Sequence, residues 1–146
     1  MFIFLDTETT GSGPADRLCQ LAFKTSDGFT VNDIFNPGMP ISIEAMTIHY
    51  ITNEMVQDKP PFRDSDTWQQ IQDLFDSDDN IMVAHNAAFD VGMLTKEGIV
   101  PQNVVCTLKL ARYLDKEGVI PPSIRSPISA VLSETKRRCH TAHRTG

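Results

Sequence analysis

The stretch "FLDTETTG" (Phe4–Gly11) places the strongest constraint on what this chain can fold into. It continues the apolar run "MFIFL" and reads as the end of a buried strand. Side chains alternate along a strand, so Asp6 and Glu8 project to one face. Two adjoining acids repel each other, and burying either one is costly without a compensating partner. One outcome is a strand end fraying into a polar turn. The other is a pair of hard oxygen donors aimed at a divalent cation, with magnesium or manganese the best suited. A D-x-E pair alone does not decide between them, because most such pairs are solvated surface acids.

The rest of the chain supplies a frame for that strand. "RLCQLAFKT" and "FTVNDIFN", separated by the turn signal "SDG", read as two further strands and predict a three-stranded antiparallel meander. "SIEAMTIHYITNEMV" reads as one or two short helices, the second opening at Thr52. In "DSDTWQQIQDLFDS", Trp68, Ile71, Leu74 and Phe75 recur at helical spacing, with Asp64 or Ser65 as cap. "NIMVAH" is a buried strand, and "NAAFDVGMLTKEG" a helix ended by Gly98. "VVCT" and "TLKLARYLDKEG" give a last strand and a helix capped by Thr107 and ended by Gly118. The order β-β-β-α-β-α-β-α predicts an α/β fold, a mixed sheet of three antiparallel strands and then two parallel to the first, flanked by helices.

The 146 residues suffice for one domain with a proper core. No apolar run approaches a membrane span, and the N-terminus lacks the pattern of a signal peptide. The three cysteines, Cys19, Cys106 and Cys139, are odd in number and unpatterned. Reduced thiols and a cytoplasmic location are the expectation. A net charge of −6 argues weakly against a protein that coats nucleic acid nonspecifically. It does not argue against an enzyme that meets phosphates through cations.

A second acidic feature lies in "VAHNAAFDVGML". His85 and Asn86 sit where a strand meets a helix, and Asp90 follows one helical turn after Asn86. Capping accounts for Asn86, and the helix dipole favours an acid in this first turn. Neither accounts fully for Asp90, whose neighbours Phe89, Val91 and Leu94 are apolar.

Together "FLDTETTG" and "VAHNAAFD" carry a family resemblance. The chain resembles the DEDDh-type 3′–5′ exonucleases of the RNase H-like fold. That group includes the proofreading epsilon subunit of bacterial DNA polymerase III, RNase T and oligoribonuclease. The resemblance runs from Met1 to about Ile120, with "DRLCQLAF", "ISIEAMTIHYITNEMV" and "CTLKLARYLDKEGVIP" in the expected order. It implies that Asp6 bridges two Mg²⁺ (or Mn²⁺) ions, that Glu8 binds the first, and that Asp90 holds the second through water. Thr7, Thr9 and Thr10 would border the terminal nucleotide. His49, in "HYIT", falls in a segment similar to the family's H-G-I-T beside the terminal base or sugar, with Tyr50 in place of the glycine. Phe89 would stack on a base, with core packing an equal reading. His85 reads as structural, and Trp68 and Phe75 as core. The implied substrate is a 3′ end of single-stranded DNA or RNA, cleaved to nucleoside monophosphates. A DNA polymerase subunit is the partner implied for the proofreading branch.

The family pattern closes with H-x-A-x-x-D or H-x-x-x-x-D, which supplies a general base and a fourth carboxylate. Here the sequence reads "CHTAHRTG", with His143 in the place of the base and the aspartate position falling past Gly146. Residues 1–120 carry 8 Lys/Arg against 18 Asp/Glu, whereas residues 121–146 carry 5 against 1. The domain is therefore expected to span 1–146, with a well-matched core over 1–120 and a divergent tail over 121–146. An early end to the chain is one reading of this break. A frameshift is another: codon degeneracy permits a shifted frame from Pro121 with helical periodicity and a terminal H-x-A-x-x-D, which the nucleotide sequence would decide. A basic phosphate-binding tail ranks third. With three of four carboxylates, a weakened first metal site and low or absent activity are expected. The alternative is a non-catalytic module of the same fold that binds a nucleic-acid end or a polymerase.

Overall fold

The computed structural model describes residues 1–115. The expected stop at Gly118, the tail and His143 lie outside the described residues. Five strands form one sheet in the order β3-β2-β1-β4-β5. They are β1 (Phe2–Thr9), β2 (Leu18–Thr25), β3 (Thr30–Ile34), β4 (Ile81–Ala84) and β5 (Asn103–Cys106). β3, β2 and β1 are antiparallel, while β4 and β5 run parallel to β1. This is the mixed sheet that the strand–helix order predicts.

The apolar run at the N-terminus becomes the central strand. Ile3, Leu5, Thr7 and Thr9 are buried on one face of β1, and Phe4, Asp6 and Glu8 are half-buried on the other. Ile3 and Leu5 join Leu21, Phe23 and Met82 in the main core. Two helices cover that face. They are α3 (Asp66–Phe75), through Ile71 and Phe75, and α4 (Ala88–Lys96), through Leu94. Each such side chain contributes about 1.5–3 kcal/mol by leaving water. Trp68 and Leu74 pack half-buried at the margin of this core.

The short helices α1 (Ile43–His49) and α2 (Asn53–Val56) precede α3. A smaller cluster of Cys19, Ile41, Ala45, Ile51 and Val56 seats them. The caps follow the sequence in two cases. Thr52 accepts the Met55 N–H at the start of α2, and Ser65 accepts the Trp68 N–H at the start of α3. They depart from it at α5 (Thr107–Leu114), where Cys106 holds the capping position without a side-chain cap bond. The Thr107 hydroxyl instead donates to the Ala84 carbonyl. Among the described residues no helix is long and apolar enough to cross a membrane.

Candidate active site

β1 outruns its neighbour. It pairs with β4 only from Phe2 to Phe4, so beyond that point one edge of β1 has no strand beside it. α4 fills the gap. Oδ1 of Asp90 accepts the Thr7 N–H at 3.0 Å and the Thr7 hydroxyl at 2.8 Å. A carboxylate thus takes the backbone donor that a strand carbonyl would otherwise take. The chain reaches this position through a sharp corner at Asn86, which adopts φ 59°. Asparagine is one of the few residues other than glycine to enter that left-handed region readily. The expected Asn86 cap is therefore not made. α4 begins after Ala87, which makes no side-chain cap bond, and Asn86 serves as the hinge of the corner.

Asp90 is almost fully buried, at 3% exposure. Burial pushes its carboxyl up to about 7, and the negative charge of Asp6 adds to the rise; the hydrogen bonds from Thr7 oppose it. Asp6 and Asp90, from two elements, therefore share one electrostatic environment. Glu8 follows on the same face as Asp6, opposite Gln20 of β2. The β1–β2 register shifts between Glu8 and Thr9, a bulge of the kind that re-aims side chains near functional sites.

The donor set fits a divalent cation. Three carboxylates offer hard oxygen ligands, and a cation would relieve the charge cost felt at Asp90. The set is not a closed cage: among the described residues no three acidic, histidine or cysteine side chains already form a metal-ligand group. The fit thus rests on donor chemistry and on the coupling of Asp6 to Asp90.

Beside Glu8 lies a cavity of about 490 Å³, whose lining includes Thr7, Thr9, Thr10, His49 and Phe89. Every residue the sequence nominates for the terminal nucleotide borders this one space. The threonine hydroxyls are committed to the protein. Thr7 donates to Asp90, Thr9 to the Gly11 carbonyl at 2.6 Å, and Thr10 to Asp16 Oδ1 at 2.7 Å. His49 is committed too. Its Nδ1 accepts the Ile51 N–H at 3.1 Å, so Nε2 carries the proton and donates to the Thr9 carbonyl at 3.1 Å. These residues shape the wall with their carbon surfaces and backbone. A larger cavity of about 740 Å³ lies along β3 and α2 and shares His49, but none of the three acids lines it.

Tyr50 replaces the expected glycine, yet its backbone adopts the glycine-like φ 61° while its N–H closes α1 on the Met46 carbonyl at 2.9 Å. The loop after β1 is equally fixed. Asp16 accepts the Thr10 hydroxyl and the Gly13 N–H, bonds that hold its carboxyl below the usual carboxylate range. A Cβ at Gly11 would stand 2.7 Å from Asp16 Oδ2, so a larger residue there would push the Asp16 carboxylate out of its bonds to Thr10 and Gly13. His85 is tied to the start of α5, its Nδ1 3.1 Å from the Thr107 hydroxyl.

Sequence reasoning passed over Glu97, which ends α4. Its side chain is 4% exposed and meets Arg17 at 2.7 Å and Arg63 at 3.0 Å. The one signal in the sequence was an acid at the negative end of a helix, where the dipole disfavours it.

Comparison with known proteins adds three findings. Residues 3–120 match the RNase_T exonuclease family model. Among curated relatives, exodeoxyribonuclease 10 of Escherichia coli is 38% identical over 118 residues, 78% of this chain and 48% of that protein. DNA polymerase III subunit epsilon of Buchnera aphidicola is 36% identical over 134 residues, 77% of this chain and 54% of that protein. The chain thus spans about half the length of these two relatives. Among solved structures, exonuclease X in complex with 5′ overhanging duplex DNA superposes with a TM-score of 0.63 at 29% identity, covering 95% of this chain and 92% of that one.

Proposed function

The chain belongs to the RNase_T exonuclease family, the DEDD-type 3′–5′ exonucleases of the RNase H-like fold, and on that premise we propose that it carries a metal-dependent phosphodiester hydrolase site. The substrate we assign is the 3′ end of single-stranded DNA or RNA, released as nucleoside monophosphates. The observation that supports this reading is the placement of Asp6 and Glu8 on one face of β1, with the charge of Asp6 acting on the buried Asp90 and Glu8 lining the cavity that Thr7 and Phe89 border.

Asp6, Glu8 and Asp90 would hold the Mg²⁺ or Mn²⁺ ions. Bound there, such ions would supply an activated water and charge stabilisation at phosphorus. The chain's own residues supply placement. Thr7 fixes Asp90 from two donors, so the third carboxylate is held relative to β1. His49 and the Ser42 N–H grip the carbonyls of Thr9 and Thr10, which keeps the floor of the cavity rigid against an incoming nucleotide. Phe89, half-buried on the cavity wall, offers a ring face for stacking on the terminal base. The general base is assigned to His143, outside the described residues.

The second reading is a non-catalytic module of the same fold that binds a nucleic-acid end or a polymerase partner. The absence of a closed three-ligand group among the described residues favours it. One experiment separates the two. A 3′-labelled single-stranded oligonucleotide is incubated with the chain and Mg²⁺, with Asp6→Ala as control. The hydrolase reading expects stepwise shortening from the 3′ end that Asp6→Ala abolishes. Binding without shortening supports the module, and shortening that survives Asp6→Ala contradicts the site.

A further inference from the structure

The three acids come from two elements, β1 and α4, so the site works only if those elements keep a fixed register. Functional constellations need about 0.5 Å of positional control. At the first turn of α4 the register is set by Asp90 on Thr7. Leu94 also seats α4 on the core, a contact that is non-directional. The second attachment lies at the other end. Glu97 Oε1 accepts two hydrogen bonds from Arg17, at 3.1 Å from Nε and 2.7 Å from the guanidinium Nη2. Arg17 is in turn locked to β1's end: its N–H donates to the Thr10 hydroxyl at 3.0 Å, and its carbonyl accepts the Thr10 N–H at 2.9 Å. Lys96 adds a bond to the Asp16 carbonyl at 3.0 Å. Glu97 Oε2 takes Arg63 from the turn before α3, and the Glu97 carbonyl takes the Trp68 indole N–H at 2.9 Å.

We infer that Glu97 is a positioning residue for the metal site: it pins the C-terminal end of α4 to the loop after β1, so that the helix bearing Asp90 cannot swing relative to the strand bearing Asp6 and Glu8. Two donors of the planar Arg17 guanidinium converge on Glu97 Oε1, which gives this charge-assisted attachment direction as well as strength. The metal half of the inference rests on Asp6, Glu8 and Asp90 being ligands. The register half does not.

The test therefore has two readouts. Backbone amide hydrogen exchange follows the Thr7 N–H, whose acceptor is Asp90, and the Phe23 N–H deep in β2 as a reporter of global opening. In Glu97→Gln the Thr7 amide is expected to exchange at least about tenfold faster relative to Phe23. The Mn²⁺ dissociation constant of the same protein is expected to rise roughly tenfold, as for other groups that orient metal ligands. Arg17→Lys, which keeps the charge and loses the fork, serves where Glu97→Gln fails to fold, with the same two expectations. Equal acceleration of both amides, or an unchanged Thr7 amide, overturns the positioning role. Selective acceleration with unchanged Mn²⁺ affinity overturns its link to the metal. If the wild-type chain binds no Mn²⁺, the ligand reading fails on its own, and the amide comparison still decides Glu97.

Discussion

The two ends of α4 each bury an acid, and the chain treats them in opposite ways. Glu97 lies between two arginines, and both ion pairs found among the described residues are its own. Asp90 is equally buried, but its described partners are the N–H and hydroxyl of one threonine, and its nearest charge influence is another acid, Asp6. Burying a charge is tolerable when a partner repays the desolvation. Glu97 has that partner within the chain. Asp90 is relieved either by holding a proton or, on the proposed function, by a bound cation. On the proposed function, the contrast is between an acid that ties elements together and one that would serve chemistry.

Four outcomes would break or sharpen this contrast. The largest effect is expected in activity. Asp6→Ala and Asp90→Asn should each lower Mg²⁺-dependent cleavage at least about 10³-fold, roughly 4 kcal/mol in the barrier, in a steady-state assay on a labelled oligonucleotide. Next comes stability at the other end of the helix. Glu97→Ala should destabilise the fold by about 2–3 kcal/mol in urea melts; the arginines are 45% and 55% exposed, so solvent screens part of what a fully buried pair would lose.

The third outcome is a dependence on pH. Asp90 is raised from the ordinary 3.8 to about 7. Between those values the folded chain holds a proton that the unfolded chain has released. Its contribution is therefore fully present below about pH 4 and lost as pH rises through about 7. Metal-free protein should lose roughly 1–3 kcal/mol over that window by this route. Asp90→Asn should flatten the slope, because an amide oxygen can still accept both Thr7 donors. That variant would be dead in cleavage yet more stable at pH 8. Glu97→Gln should show no such gain. The smallest effect belongs to Tyr50. Its left-handed φ of 61° on an exposed side chain costs about 1 kcal/mol, so Tyr50→Gly should leave thermal stability unchanged or raise it by about 0.5 kcal/mol.

The sequence announced one end of α4 and hid the other for physical reasons. Asp6 and Glu8 are legible because strand alternation places them on one face whatever surrounds them. Asp90 is legible because an acid among Phe89, Val91 and Leu94 conflicts with its apolar setting. The sheet order follows from the same local patterns. Asn86 is ambiguous by nature, since one residue type serves both as a helix cap and as a left-handed corner, and only the path from β4 into α4 decides. Thr107 was displaced from its expected cap because its hydroxyl found the Ala84 carbonyl on the neighbouring strand. Arg17 and Glu97 are 80 residues apart, and no local signal encodes a pairing made only when β1 and α4 meet. Likewise the threonine and His49 polar groups, nominated for a nucleotide, are spent on the protein's own backbone and on Asp16 and Asp90, in bonds that the sequence does not display.

The central proposal is that a divalent cation binds at Asp6 and Asp90, whose charges act on each other. Thermal unfolding at pH 8 as a function of Mn²⁺ tests it most directly, since a ligand that binds only the folded chain raises its melting temperature with concentration. The wild-type melting temperature is expected to climb with Mn²⁺, whereas Asp6→Ala and Asp90→Asn stay flat. A wild-type curve that does not move, or variants that climb in step with it, would contradict the account.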